Sequence, residues 1–239
     1  MKRLNLISSP RNISTALMYS FAQRSDTIVV DEPFYAYYLS IRSVDHPGRD
    51  EIIRSQPTDP REVSRSLLET TGPPVLFIKN MAHHLIDIDP RFYEGVTNIL
   101  LIRNPRQLIA SFAQVIPEPT MYDIGVRKQF DLFSKISESG PPPIVLDSGE
   151  LMKDPRAVLT ALCDSAGISF QESMLSWKPG PRPEDGVWAK YWYANVHRST
   201  GFRVQQTSHR PLAEHLVPLA EEALPLYQAL YDHSIKAEG

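Results

Sequence analysis

Leu4-Asn5-Leu6-Ile7-Ser8-Ser9-Pro10-Arg11-Asn12-Ile13-Ser14-Thr15-Ala16-Leu17-Met18 is the stretch on which the fold is decided. The apolar run Leu4 to Ile7 predicts a short buried strand, and Ser8 to Asn12 a polar turn. Ile13, Leu17 and Phe21 then recur at helical spacing. Strand, turn and helix in that order can hold a phosphate. The first helical N–H groups lack intrahelical partners, and the helix dipole is positive there. Arg11 adds a full positive charge, and Ser14 and Thr15 add hydroxyl donors. Without a ligand, the same stretch is a plain helix start with Ser14 as its cap.

Outward from this stretch the alternation repeats. Thr27-Ile28-Val29-Val30 predicts a second strand ending at Asp31-Glu32-Pro33, and Val75-Leu76-Phe77-Ile78 a third leading to Lys79-Asn80-Met81-Ala82-His83-His84-Leu85. Asn98 to Ile102 predicts a fourth, followed at once by Arg103-Asn104-Pro105-Arg106, and Ile144-Val145-Leu146 a fifth. Helices are expected over 61–70, from Pro105 through Phe112, over 122–138, and from Asp154 to Ala166 with Asp154 as cap and Gly167 as stop. Residues 45 to 60 read as an exposed loop, and the last helix as 212–235. Short apolar strands alternating with helices predict an α/β fold of three layers, with a central, mostly parallel sheet of about five strands flanked by helices. No linker or repeat divides the chain, so 1–239 is expected to be a single domain, mainly helical from about residue 150. In open sheets of this kind ligands sit at the carboxyl ends of the strands. The polar residues gather there: Ser8 to Thr15, Asp31 and Glu32, Lys79 to His84, and Arg103 to Arg106.

Composition narrows the function classes. The net charge of −3 argues against nucleic acid or an acidic membrane as partner. The one cysteine, Cys163, excludes an internal disulfide and a cysteine-cluster metal site. No segment is long and apolar enough to span a membrane, and Met1-Lys2-Arg3 leads straight into a strand, unlike a signal peptide. A cytoplasmic location is therefore the expectation. The first turn lacks a Gly-x-x-x-x-Gly-Lys pattern and contains no glycine, which disfavours a Mg-ATP enzyme.

Two of the loops, taken together, resemble the sulfotransferase family. Its members take a sulfuryl group from 3'-phosphoadenosine 5'-phosphosulfate (PAPS) on a P-loop-like α/β fold. The family loop Pro-Lys-Ser-Gly-Thr-Thr is similar to Pro10-Arg11-Asn12-Ile13-Ser14-Thr15, with Arg11 at the lysine position. A family strand followed by Arg-Asn-Pro-(Lys/Arg), then a helix with a serine eight residues after the arginine, is similar to Leu101-Ile102-Arg103-Asn104-Pro105-Arg106 and Ser111. The resemblance implies that Arg11, Asn12, Ile13, Ser14 and Thr15 surround the phosphosulfate, and that Arg103 and Ser111 hold the 3'-phosphate. A guanidinium fork and a hydroxyl near a helix start suit that anion. The structural alternative pairs Arg103 with a carboxylate and leaves Ser111 as packing.

The resemblance further implies a lysine and a general-base histidine after the third strand. Lys79 fits, followed at longer spacing than in the cytosolic members by His83 or His84; the His84-Leu85 pair favours His84. A histidine near its ordinary pKa accepts a proton at neutral pH. Glu32 is the rival base, because carbohydrate-acting members use a glutamate after the second strand, and a carboxylate in a dry pocket gains proton affinity. A packed histidine pair, and a cap or ion pair for Glu32, remain the structural alternatives.

Three departures stand out. Ile13 occupies the glycine place, Arg11 lacks the reach and proton-donor chemistry of lysine, and the C-terminal Arg-Lys-Gly lid is missing. His197 to Arg203, with Arg198 and Gly201, is the segment that can replace it. Two aromatic clusters, Phe34-Tyr35 with Tyr37-Tyr38 and Trp188 with Tyr191-Trp192-Tyr193, either stack on a sugar or phenol acceptor or serve as core.

The expectation is a PAPS-dependent sulfotransferase, releasing adenosine 3',5'-bisphosphate and needing no metal. Arg11 neutralises charge, and His84, His83 or Glu32 takes the proton. The acceptor is a small molecule or carbohydrate bearing a hydroxyl or amine, and the architecture allows a homodimer. The alternatives are a non-catalytic nucleotide-binding module of the same fold and a small-molecule kinase.

Overall fold

Side chains alternate across a strand, so a strand covered on both faces feeds two cores. That is how the six strands are used: β1 (Lys2–Ser8), β2 (Thr27–Asp31), β3 (Val75–Met81), β4 (Thr97–Ile102), β5 (Ile144–Asp147) and β6 (Ser234–Ile235). The computed structural model describes residues 1–44, 46–203 and 210–237. Leu4, Leu6, Phe77, Ile99, Leu101 and Leu146 face one helical layer, which includes α1 (Ser14–Phe21) and the helix Pro155–Ala166. Ile7, Leu76, Ile78, Leu100, Ile102 and Val145 face the other, with the helices Pro60–Glu69, Val126–Ser139 and Val217–Tyr231. The three-layer α/β architecture is as expected.

The sheet runs β2-β3-β1-β4-β5-β6, and every pair is parallel. The chain leaves β1 towards β2 and leaves β4 towards β5, in opposite directions. Such a reversal opens a crevice at the carboxyl ends of β1 and β4. No helix among the described residues is long and apolar enough to cross a membrane.

Several boundaries differ from expectation. The sheet has six strands rather than five, because the last helix ends at Tyr231 and Ser234–Ile235 pairs with β5. The expected loop over 45–60 contains the helix Arg49–Ser55, which buries Ile52; Asp50 and Glu51 stand in its first turn and Arg54 in its last, as the dipole prefers. The helix expected over 122–138 is two, Met121–Ile124 and Val126–Ser139, parted at Gly125, whose φ of 70° a helix does not admit. Ser14 does not cap α1. Ile13 holds that position and supplies no side-chain acceptor.

A buried rail of amides crosses the middle of the sheet. Asn80 on β3 donates to Asn5 on β1 (2.8 Å), Asn5 donates to Asn98 on β4 (3.0 Å), and Asn98 donates to the carbonyl of Tyr93 (2.8 Å). Asn5 and Asn80 are fully buried, so each amide depends on its neighbour. Asn98→Ala strands the Asn5 amide and is expected to cost about 1–3 kcal/mol, read as a lower urea midpoint at unchanged slope. An unchanged midpoint would show that the rail adds nothing.

Candidate functional site

The turn after β1 is held by its neighbours rather than by glycine. Arg11 sits at φ 54°, a left-handed conformation uncommon for a residue with a Cβ. Its carbonyl accepts a hydrogen bond of 2.5 Å from Nη1 of Arg103, which follows β4. Asn12 accepts from the N–H of Ile13 and donates to the carbonyl of Leu101 (2.9 Å), tying the turn to β4. Ser9 donates to Gln129 (2.7 Å), whose amide N–H2 bridges the carbonyls of Ile7 and Leu101. One buried glutamine on the helix Val126–Ser139 therefore sets the gap between β1 and β4 where the crevice opens.

Two guanidinium groups enter that crevice, and the charge of Arg210 acts on both. Nε of Arg11 lies 3.4 Å from the hydroxyl of Ser111. Burial and the charge of Arg210 hold Arg11 below the ordinary arginine value. Burial, then Arg11 and Arg210, lower Arg103, while Asp147 at the end of β5 acts against them. Neither Arg11, Arg103 nor Arg210 has an ion-pair carboxylate within 4.0 Å among the described residues. The hydroxyls of Ser14 and Thr15 at the start of α1 likewise make no hydrogen bond there, and its first N–H groups lack a side-chain cap. Repelling cations, free donors and an uncapped helix start make a site short of one anion.

Beside it, at the ends of β2 and β3, lies a buried charge cluster. Lys79 was expected in the loop after β3, but β3 runs on to Met81 and leaves Lys79 only 1% exposed. Its ammonium donates to Asp31 Oδ1 (2.9 Å), to Glu32 Oε1, and to the hydroxyl of Tyr193 (2.8 Å). Tyr193 in turn donates to Asp31 Oδ2 (2.7 Å) and receives the indole N–H of Trp188 (3.1 Å). Two carboxylates share one ammonium, so the ionised cluster carries one negative charge too many. Burial, opposed by Lys79 and reinforced by Asp31, raises the proton affinity of Glu32 above the ordinary 4.5. Glu32 is itself left-handed, at φ 42°, held by a bond from its N–H to Lys79 and one from Gln56 to its carbonyl (3.2 Å). Strained residues held by over-determined surroundings cluster at functional sites, and two of the three here are Arg11 and Glu32.

His84 packs against Glu32. Its Nδ1 stands 3.6 Å from Glu32 Oε2 and has no hydrogen bond. The rings of Tyr35 and Tyr38 stack on it at 4.3 and 4.7 Å. Burial first, then the neighbouring His83 ring and the Lys79 charge, hold it neutral well below 6.5. His83 is neutral as well: burial brings it to about 4. Phe34, Tyr35, Tyr37, Tyr38, Trp188 and Tyr193 are all buried. The aromatic clusters are therefore core that walls in His84 and Lys79, with Tyr191 exposed and Trp192 half-buried outside.

The turn Arg11–Thr15, Arg103 and Ser111 meet in one crevice, and Glu32 and His84 meet beside it. Arg198 and Gly201 are bound elsewhere. Arg198 donates to Asn195 (2.8 Å), and Gly201 bridges to Ser176. The cation of the C-terminal half whose charge acts on Arg11 and Arg103 is Arg210, which sequence reasoning passed over. It missed Gln129 and Tyr193 too. Gln129 had a signal, a polar residue in the buried stripe Val126, Gln129, Leu132, Ile136; Tyr193 was one aromatic among many.

A family model described as a sulfotransferase domain matches residues 1–234. Two curated proteins of Arabidopsis thaliana, Branched-chain-amino-acid aminotransferase-like protein 1 and protein 2, are 40% and 37% identical over 228 and 235 residues. These alignments cover 95% and 98% of this chain but 41% and 42% of the relatives, so the chain spans about two fifths of their length. Among solved structures, the sulfotransferase domain from the curacin biosynthetic pathway superposes with a TM-score of 0.58 at 19% identity, covering 96% of this chain and 97% of that one. The sulfotransferase domain from the Synechococcus PCC 7002 olefin synthase gives 0.59 at 16%, covering 93% and 94%. A sulfotransferase from Alicyclobacillus acidocaldarius gives 0.54 at 12%, covering 98% and 97%. At these identities the three structures share the fold.

Proposed function

The chain belongs to the sulfotransferase domain family, and from that premise we propose that it moves a sulfuryl group from PAPS to a hydroxyl or amine of a small-molecule or carbohydrate acceptor. The observation that carries this reading is the meeting of Arg11 and Arg103, under the further charge of Arg210, with no carboxylate in ion-pair distance of 4.0 Å among the described residues. A donor with phosphate at two ends of one adenosine supplies the missing anions. Arg103 and Ser111 take the 3'-phosphate, with Arg210 as a further cation. Arg11 and the N–H groups of Ser14 and Thr15 take the phosphosulfate.

Chemistry then needs little beyond placement and charge. The acceptor oxygen attacks sulfur as the bond from sulfur to the bridging oxygen breaks, and that electron pair stays with the 5'-phosphate. Arg11 stabilises the charge that builds there. Glu32 takes the acceptor's proton, and its raised proton affinity suits the task. His84, neutral beside it, adds no competing positive charge.

Titration calorimetry tests the donor. Adenosine 3',5'-bisphosphate is expected to bind and Mg-ATP not to. Heat with Mg-ATP and none with the bisphosphate would reject PAPS and favour a kinase. Labelled-sulfate transfer to a panel of alcohols, phenols and sugars then separates an enzyme from a binding module.

A further inference from the structure

Two carboxylates lie against one lysine, and a base needs only one of them. Asp31 and Glu32 are adjacent in the chain, both buried, and both within hydrogen-bond reach of the Lys79 ammonium. Lysine alone does not choose between them. We propose that the hydroxyl of Tyr193 makes the choice: it directs its proton at Asp31 and so leaves Glu32 as the carboxylate that takes the shared proton. The inference rests on Glu32 being the base of the proposed reaction.

The donors are unequally shared. Asp31 accepts from Lys79 at 2.9 Å, from the Tyr193 hydroxyl at 2.7 Å to Oδ2 and 3.0 Å to Oδ1, and from the N–H of Gly186 at 3.3 Å. Glu32 Oε1 has Lys79 and a longer approach of 3.4 Å from Tyr193. Its Oε2 lies 3.6 Å from the unbonded Nδ1 of His84. Hydrogen bonds to the ionised form hold a carboxylate ionised, so the three donors around Asp31 push the shared proton to Glu32. Asp31 also lines an open cleft of about 300 Å³ with Gln56, Glu184, Asp185, Gly186 and Trp188.

Tyr193 can play this part because it is held from behind. The indole N–H of Trp188 and the Lys79 ammonium both donate to its oxygen, which leaves its single proton directed at Asp31. The groups facing the two carboxylates are Lys79 from β3, His84 and Tyr35 beside Glu32, Tyr193 between them, Tyr19 from α1, and Glu184 and Asp185 across the cleft. Lys79 and Tyr193 each touch both carboxylates, but the ammonium has protons for both, whereas Tyr193 has a single proton to aim. It is a positioning residue that acts through Asp31 and Lys79 on Glu32.

Infrared spectroscopy of the full chain tests this without substrate. Titrated upwards from pH 4.5, the wild type should show a protonated-carboxyl carbonyl band that is lost in Glu32→Gln and that shifts when glutamate, but not aspartate, carries carbon-13 in its side-chain carboxyl. In Tyr193→Phe the midpoint should rise by about one pH unit, a tenfold change in proton affinity worth about 1.4 kcal/mol. On that background part of the band should shift with carbon-13 aspartate. Trp188→Phe keeps the hydroxyl but frees its direction, and should move the midpoint the same way by less. An unmoved midpoint in both variants, or a band that stays with Glu32 alone in Tyr193→Phe, overturns the proposal. If the band behaves as expected but PAPS transfers to no acceptor, Glu32 is not a base and the selection by Tyr193 stands.

Discussion

Glu32→Gln is expected to lower kcat by about 10²–10⁴-fold, the usual contribution of a positioned general base, while binding of adenosine 3',5'-bisphosphate stays unchanged. The cluster makes this substitution unusually clean. Glutamine can still accept from Lys79, and it leaves Asp31 and Lys79 as a balanced pair in place of two carboxylates on one ammonium. The variant should therefore melt no lower than the wild type, which separates lost chemistry from lost structure. The sign of the pH dependence follows from the raised affinity of Glu32. Activity should rise with pH as Glu32 loses its proton, with a midpoint above 4.5, and the variant should lack that limb. Stability runs the other way. Glu32 binds its proton more tightly folded than unfolded, so its contribution is complete below pH 4.5 and is lost as pH rises through the folded value. A variant with full kcat would pass the role to His84 or His83.

Arg103→Ala should weaken adenosine 3',5'-bisphosphate binding by about 30- to 5,000-fold, from the roughly 2–5 kcal/mol that losing one partner of a buried charge pair costs. Two losses combine. One of the two guanidinium groups in the crevice goes, and so does the bond of 2.5 Å that holds the carbonyl of Arg11 in its left-handed turn. Arg103→Lys restores the charge without the fork and should fall between the two. Calorimetry at two salt concentrations reads both effects, because a lost phosphate contact also flattens the salt dependence. Undiminished affinity in Arg103→Ala would remove the donor site from this crevice.

Most of the sheet was legible because β-branched runs between helical patterns have few other uses. Thr27–Asp31 and Thr97–Ile102 appear with almost the bounds their apolar runs suggested. Asp154 and Gly167 do cap and stop their helix, by a side-chain bond to Ala157 and a φ of 66°. What failed was local. Ser8 to Thr15 resembles a phosphate loop, yet nothing in its letters says that Arg103 and Gln129 replace the missing glycines as the means of shaping it. Lys79 looked like a loop residue because a strand rarely buries an ammonium. Its partners Asp31, Glu32 and Tyr193 lie 48, 47 and 114 residues away, and only the fold brings them together. Arg210 belongs to a stretch with no pattern of its own, and the action of its charge on Arg11 is a property of tertiary structure.

The strand that opens the chain lies in the interior of the sheet, between β3 and β4. A ribosome delivers β1 before either of its two hydrogen-bonding neighbours, which lie at residues 75–81 and 97–102. During synthesis Leu4, Leu6 and Ile7 must wait without a seat, and the sheet closes by insertion rather than by adding strands at a margin. Pairings so distant along the chain form slowly, and the unseated strand is the piece a chaperone would have reason to hold.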